Sequence, residues 1–345
     1  MLSALLLWAW LSGPPAFDLV DALGRRIALP RPPQRIVVAG RAGFMLSDAA
    51  YVFPQARERF VAVGRGIQGE GLGPILDPSH ASKVALGPES GPEQIATLRP
   101  DVVLMKTAQA GRLEGPLSAV GIPAVFVDFE TPDDFIRDLV ILGHLLGEEA
   151  RAEVVARFFE TRRQRVAAAV SDVAESARPS VLVLYRSERD GNLAFNVPPV
   201  SWMQTHIVRA AGGRPVWVGS AIGNGWTKVG IEQIAAWDPD RLFVVSYARD
   251  PAGVVADLRR DPLWQGLRAV QRGAIEAFPA DHHGWDQPTT RWILGLLWLA
   301  GRLYPERLPG LDMLAEARTF YRELYGLDEQ AFARHIEPLL AGEVR

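Results

Sequence analysis

Short apolar runs alternate along the chain with segments of helical periodicity. The β-branched runs predict buried strands at 35–39, 102–105, 124–127, 181–185, 241–245 and 274–278. The first of these runs is followed by a turn and then by a predicted helix at 44–51. Strands that alternate with helices are typical of a parallel α/β sheet. Ahead of them, 17–30 predicts a β-hairpin with its turn at 21–24.

The pattern changes at about residue 132, where apolar residues recur at helical spacing as far as 173 and little predicts a strand. This segment has an apolar face, so it is expected to pack against its neighbours, unlike a solvated linker. The predicted fold is therefore an α/β protein of two Rossmann-like lobes joined by a long bridging helix. The predicted boundaries are 17–130 for the first lobe, 131–175 for the bridge and 176–345 for the second lobe with its C-terminal helices.

The first 16 residues have the pattern of a secretory signal. An apolar run at 2–11 is followed by small residues and prolines, and it is shorter than the roughly 20 residues that a bilayer requires. The prediction is an exported, periplasmic protein. No Lys or Arg precedes the run, so a start further upstream, or an ordinary apolar strand or helix here, stays open.

The amino-acid composition excludes several classes of function. The 345 residues are 48% apolar and 22% charged, which is ordinary for a globular protein. The net charge of −3 argues against a nucleic-acid partner. The absence of cysteine excludes disulfides, thiolate metal sites, a cysteine nucleophile and a lipidated N-terminal cysteine. Ser47 and Ser187 lack the surroundings of a hydrolase nucleophile, so no enzyme is predicted.

An internal repeat is the strongest single signal. Glu-Gln-Ile-Ala followed by Pro-Asp occurs at 93–101 and again at 232–240, about 139 residues later. A repeat at this offset predicts two lobes of related design. Glu93 and Glu232 fall in the first turn of a predicted helix in each copy. Each carboxylate either complements the helix dipole or faces a partner.

Several motifs in a fixed order resemble one known family. They lie at 21–25, 33–37, 93–103, 121–125, 142–147, 211–213, 232–240 and 261–273. Their order resembles the class III periplasmic binding proteins, which feed importers of iron-siderophores, haem, vitamin B12 and molybdate or tungstate. The resemblance covers about residues 18–308. It implies a ligand held between the lobes, and docking of Glu93 and Glu232 onto arginines of a dimeric ABC permease.

Candidate ligand contacts follow from the sheet pattern, because ligands of open α/β sheets bind beyond the carboxyl ends of the strands. Cations there would suit an anionic ligand, and aromatic rings would suit a flat one. The seven candidates are Arg41, Lys106, Arg186, Trp202, Tyr247, His283 and Trp285. The alternatives are surface cations, a hydrogen-bonded loop histidine and core aromatics.

The leading functional prediction is a solute-binding protein for a metal chelate, siderophore-like, haem-like or corrinoid-like. The second has the same fold but binds a small oxyanion such as molybdate or tungstate through helix N-termini and arginine. A two-lobed enzyme with a metal cluster is disfavoured because cluster ligands are usually cysteines. The expected partners are the permease and one small-molecule ligand, the chain is expected to be a monomer, and no cofactor is predicted. Contact of His282 or His283 with a metal stays open.

Overall fold

The structure of the chain is a computed structural model that describes residues 17–66, 68–189, 192–220 and 223–344. The predicted signal at 1–16 lies outside the described residues. The predicted hairpin is present: β1 (Phe17–Val20) and β2 (Arg26–Leu29) pair antiparallel.

A five-stranded parallel sheet forms the first lobe, in the order β5-β4-β3-β6-β7. Its strands are β3 (Ile36–Val38), β4 (Phe60–Gly64), β5 (Val84–Leu86), β6 (Val102–Lys106) and β7 (Ala124–Val127). Its helices are α1 (Gly43–Ala50), α2 (Gln55–Arg59), α3 (Gly73–Leu76), α4 (Pro92–Thr97) and α5 (Ala110–Ala119). The chain runs outward from β3 to β5 and returns to β6, so the strand order reverses between β3 and β6. That reversal is where open α/β sheets bind ligands.

The predicted pattern misses two strands of this sheet. β4 and β5 lie between the predicted helix at 44–51 and the predicted strand at 102–105, where no strand is predicted. β5 has three residues, and Val84 and Ala85 are exposed, so it lacks the continuous apolar run of a buried strand. The observed sheet is therefore wider than predicted.

Two helices connect the lobes. α6 (Pro132–Leu145) is capped by Thr131, whose side chain accepts a hydrogen bond from the Asp134 N–H. Gly147, with φ of +65°, separates it from α7 (Glu149–Val170), a helix of 22 residues. One face of α7 is buried, and Phe159 on that face stacks on Trp292 of the second lobe with ring centroids 5.5 Å apart. α7 is the long bridging helix of the predicted fold.

The second lobe contains a six-stranded mixed sheet. Its strands are β8 (Ser180–Arg189), β9 (Asn192–Val197), β10 (Arg214–Pro215), β11 (Thr227–Val229), β12 (Arg241–Val245) and β13 (Ile275–Ala277). β8, β10, β12 and β13 are parallel, whereas β9 pairs antiparallel with β8 and with β11. The helices are α8 (Met203–Ala210), α9 (Ile231–Trp237), α10 (Pro251–Arg260), α11 (Arg268–Gln271), α12 (Trp292–Leu303), α13 (Met313–Tyr325) and α14 (Glu329–His335).

The repeat has the same backbone shape in both lobes. In each copy the helix, α4 or α9, leads through one left-handed residue and a proline to a strand, β6 or β12. Those residues are Arg99, with φ of +48°, and Asp238, with φ of +37°. A residue before proline avoids the right-handed helical region, so the helix ends there in both copies.

The aspartate of each Pro-Asp pair joins its strand to the central strand of the sheet. Asp101 Oδ2 accepts hydrogen bonds from the backbone N–H groups of Gln34 (2.7 Å) and Arg35 (2.9 Å), just before β3. Asp240 Oδ2 accepts from the backbone N–H (2.8 Å) and hydroxyl (2.6 Å) of Ser180, the first residue of β8. The repeat therefore encodes a strand-to-strand tie as well as a turn.

The contact of α1 with β4 gives a stability prediction. A Cβ on Gly64 would lie 2.4 Å from the Gly43 Cα, so Gly64→Ala forces two backbones apart. We expect a loss of about 1–3 kcal/mol in the free energy of unfolding, measured by urea denaturation. The control is Gly87→Ala, whose Cβ meets nothing within 4 Å and which should unfold at the wild-type midpoint or above it. Equal midpoints for Gly64→Ala and wild type would contradict the packing described.

Candidate ligand-binding site between the lobes

The loops after β3 and β6 form the first lobe's side of the site. A Cβ on Gly40, which has φ of +85°, would lie 2.8 Å from the Gln109 side chain, so the two loops touch. A Cβ on Gly66 would lie 2.4 Å from the Phe44 ring at the start of α1. Glycine at these positions lets the backbone close around the reversal in strand order.

A buried ion-pair network joins the lobes directly behind this surface. Arg291, just before α12, has no exposed surface, and its Nη1 donates to Asp48 Oδ2 of α1 at 2.6 Å. Its Nε pairs with Asp281, which also accepts hydrogen bonds from Tyr321 (2.7 Å) and Trp285 (2.8 Å). Burial alone would raise the pKa of Asp281, but Arg291 and these donors outweigh it and lower that pKa. Two carboxylates therefore face one guanidinium.

A cavity of about 300 Å³ opens beside this network. Gln68 lines it from the first lobe, and the loops at 246–251 and 280–284 line it from the second. His283, 2% exposed, packs against Phe44 across the lobes with ring centroids 4.8 Å apart. Burial, aided by Arg291, lowers the pKa of His283 to about 4, so its imidazole is neutral at pH 7. Neither ring nitrogen has a hydrogen-bond partner among the residues that the structure describes.

Four half-buried aromatic side chains form a continuous cluster at the same end of the second lobe. Tyr185 at the end of the parallel part of β8 contacts Trp226 (4.9 Å) and Tyr247 (4.8 Å). Trp202, immediately before α8, meets Trp226 edge to face at 5.6 Å. Tyr247 also lines the cavity, so the cluster continues from it. Each of these four residues keeps part of its surface exposed, and stacking on a flat solute requires an exposed ring face.

The Tyr247 hydroxyl makes its hydrogen bond within the protein. It donates to Asp286 at 2.5 Å, and Asp286 also accepts from Gln204 at 3.0 Å. Burial and the neighbouring carboxylate hold the pKa of Tyr247 well above its usual value. Tyr247 therefore offers a ring face rather than a phenolate oxygen.

This geometry agrees with a comparison to known families. Residues 77–281, more than half of the chain, match the periplasmic binding protein family. The chain is a periplasmic binding protein.

Individual relatives are distant. The molybdate-binding protein MolA of Haemophilus influenzae is 23% identical over 254 residues, which are 68% of this chain and 69% of that protein. The iron-uptake system-binding protein of Bacillus subtilis is 22% identical over 53% of this chain and 56% of its own length.

Solved structures share the fold at low identity. The H. influenzae MolA structure with molybdate has a TM-score of 0.72 and 18% identity, and covers 90% of this chain and 98% of its own. The Helicobacter pylori CeuE structure with Ni(II) has a TM-score of 0.72 and 15% identity, with coverages of 92% and 99%. At these identities the likeness establishes the fold alone.

Family membership confirms three predictions. The two-lobed α/β fold, the resemblance to class III binding proteins and the absence of an enzymatic role all agree with it. Periplasmic binding proteins bind small ligands, work with ABC-transporter permeases and act outside the cytoplasm. Among the residues that the structure describes, no helix is both long and apolar enough to cross a membrane.

Two predicted cations are already paired with carboxylates. Arg41, which is exposed, lies 2.7 Å from Glu89 through its Nη2. Lys106 is 5% exposed and its ammonium pairs with Glu130. Burial raises the pKa of Glu130, although Lys106 opposes that rise. Both cations therefore carry a counter-charge from their own lobe.

Arg186 lies on the other face of its strand from Tyr185, because side chains alternate along a strand. It is paired with Phe195 of β9, which packs edge to face on Trp264 at 4.8 Å. Arg186 is thus separated from the aromatic cluster by the sheet.

The structure brings Trp202, Tyr247 and His283 to one region but buries Trp285. The Trp285 ring has no exposed surface and its N–H is bonded to Asp281, so it supports the loop from behind and presents no face to a solute.

Sequence reasoning missed Asp48 and Arg291. Each had a usable signal, since Asp48 is a lone charge within the apolar stretch at 44–53 and Arg291 directly precedes a strongly apolar segment at 292–300.

Glu93 and Glu232 occupy equivalent positions. Both are exposed in the first turn of their helices, and among the described residues neither carboxylate makes an ion pair. A Cβ on the preceding Gly91 or Gly230 would lie 3.3 or 2.9 Å from the respective Oε2, so each side chain turns back toward its N-cap. The symmetry of the sequence repeat thus extends to these two side chains.

The buried network gives a second stability prediction. Asp48→Ala leaves the Arg291 guanidinium with one of its two carboxylate partners, and we expect a loss of about 3–5 kcal/mol in the free energy of unfolding. Thermal unfolding monitored by circular dichroism measures it. The control is Glu153→Ala, which breaks an exposed pair with Arg157 and should cost less than about 1 kcal/mol. Similar losses for both variants would contradict a special role for Asp48.

Proposed function

We propose that this periplasmic binding protein captures a metal chelate between its lobes and delivers it to an ABC permease. The observation that carries the proposal is the cluster of half-buried aromatic residues, Tyr185, Trp202, Trp226 and Tyr247, which continues into the cavity beside His283. Rings that keep a face exposed suit a bulky, partly apolar solute such as a siderophore-like or corrinoid-like complex.

The charges near the site support the same solute class. Arg41, Lys106 and Arg291 are each paired with carboxylates. A free oxyanion would have to compete with those carboxylates for every one of these cations. A neutral chelate, or one with a positive face, does not meet that competition.

A small oxyanion is the second candidate. It is favoured by the similarity to a molybdate-binding protein over 68% of the chain. The N-terminus of α1 also follows β3 at the strand-order reversal, where backbone N–H groups bind anions in other α/β proteins. Under this hypothesis the paired cations would release their carboxylates on binding.

Export and docking complete the proposal. We propose that the segment 1–16 directs export and that the protein acts as a monomer. Glu93 and Glu232, exposed and unpaired within the described part of the chain, are the residues proposed to meet arginines of a permease dimer.

The solute is tested by native mass spectrometry of protein purified from its own host under mild conditions. A bound ferric, haem-like or corrinoid-like complex is expected, whereas bound molybdate or tungstate would select the second candidate. Trp226→Ala should bind a flat complex about two- to tenfold more weakly, because one stacking contact contributes about 0.5–1.5 kcal/mol. Leu263→Ala, at a side chain 68% exposed and outside the cluster, is the matched control and should retain the wild-type amount.

Docking is tested by transport in cells that express the permease. The double variant Glu93→Arg and Glu232→Arg should abolish uptake while the purified protein still binds its solute, because like charges would then meet at both contacts. Glu153→Arg, at another exposed glutamate, should leave uptake unchanged. Uptake that survives the double variant would remove the docking assignment without touching solute binding.

A further inference from the structure

Several buried polar atoms beside the cavity, including His282 Nε2 and Arg291 Nη2, lack partners in the described part of the chain. Two such groups border one small space. They are the imidazole of His283, on both nitrogens, and Oδ1 of Asp48. Each of these residues is only 2% exposed. Buried polar atoms are nearly always paired, so these two groups need an explanation, and a bound water, ion or solute would supply one.

The two groups face the same small space from opposite lobes. Gly71, with φ of +58°, borders that space. A Cβ there would lie 2.9 Å from His283 Nε2 and 3.3 Å from Asp48 Oδ1. The two atoms are therefore within about 6 Å of each other. Any residue larger than glycine would fill the gap between them.

The Asp48 carboxylate is held so that one oxygen stays available. Arg291 Nη1 donates to Oδ2 at 2.6 Å, and the Thr290 hydroxyl donates to the same oxygen at 3.4 Å. Oδ1 receives neither bond. Carboxylates that bind metals are commonly oriented in this way by hydrogen bonds to the remaining oxygen.

The donor set determines the class of ligand. A neutral imidazole nitrogen together with a carboxylate oxygen suits borderline divalent or ferric ions rather than Ca²⁺ or Mg²⁺. Asp48, Asp281 and Arg291 together carry one net negative charge, which favours a cation. Among the described residues, no three His, Asp or Glu side chains are grouped to enclose a metal. Two protein donors are too few to hold a bare ion, so the metal must bring ligands of its own.

We propose that His283 and Asp48 bind the metal of the chelate directly, one from each lobe, and fill coordination positions that its own ligands leave open. The inference rests on the proposed function and deepens it. It divides the solute contacts between the aromatic cluster, which holds the organic part, and this pair, which holds the metal. It also explains why an imidazole and one oxygen of a carboxylate stay buried without partners in the described part of the chain.

The test uses full-length, tag-free protein and the neutral Cu²⁺–iminodiacetate complex, in which a tridentate chelator leaves positions open for imidazole. Electron paramagnetic resonance counts bound complexes and detects nitrogen coupling to Cu²⁺. Exposed histidines also bind this probe, so the measured quantity is the difference between variants. We expect His283→Gln to lose one complex per chain, Asp48→Asn to bind that complex about tenfold more weakly, and His282→Gln to match wild type.

Folding is checked by thermal unfolding, and His283→Asn replaces any glutamine variant that does not fold. If both His283 variants fold and bind as many complexes as wild type, direct coordination is wrong. If His282→Gln loses the complex instead, the assignment to His283 is wrong. A chelate recovered from the native host at wild-type level with the His283 variants would overturn this inference yet leave the proposed function intact.

Discussion

The pairing of Arg291 with Asp48 and Asp281 is the constraint on which the arrangement of the molecule depends. A guanidinium without exposed surface requires carboxylate partners, and here they come from both lobes. This requirement fixes α1 of the first lobe against the loop before α12 of the second. The neighbouring stack of Phe159 on Trp292 fixes the bridging helix at the same place. The loops that line the cavity therefore meet in one defined register.

The internal repeat shows how one design serves two lobes. In both, a left-handed residue, a proline and an aspartate turn the chain from a helix into a strand beside the centre of the sheet. The first lobe extends this unit with parallel strands only. The second adds the antiparallel strands β9 and β11, and the end of β8 that pairs with β9 carries Tyr185 of the aromatic cluster. The two lobes are thus built on a related plan, yet the surfaces with which they line the site between them differ.

Much of the fold could be predicted from the sequence because its central strands are continuous β-branched runs. β7 and β12 have the predicted limits, and the bridge has helical periodicity throughout. β5 could not be predicted in this way, because a three-residue edge strand with two exposed residues has no periodic signal. The site was harder to predict from the sequence than the fold, because its residues are brought together only by packing. Trp285 and His283 are two residues apart, yet one ring is in the core and the other borders the cavity.

Glu93 and Glu232 belong to different lobes, and their helices are otherwise alike. The distance between the two carboxylates is therefore set by the angle at which the lobes meet. A partner with two cationic sites at a fixed spacing would match that distance at one angle and strain the protein at every other. Such a partner would distinguish closed from open forms of the molecule without contacting the solute.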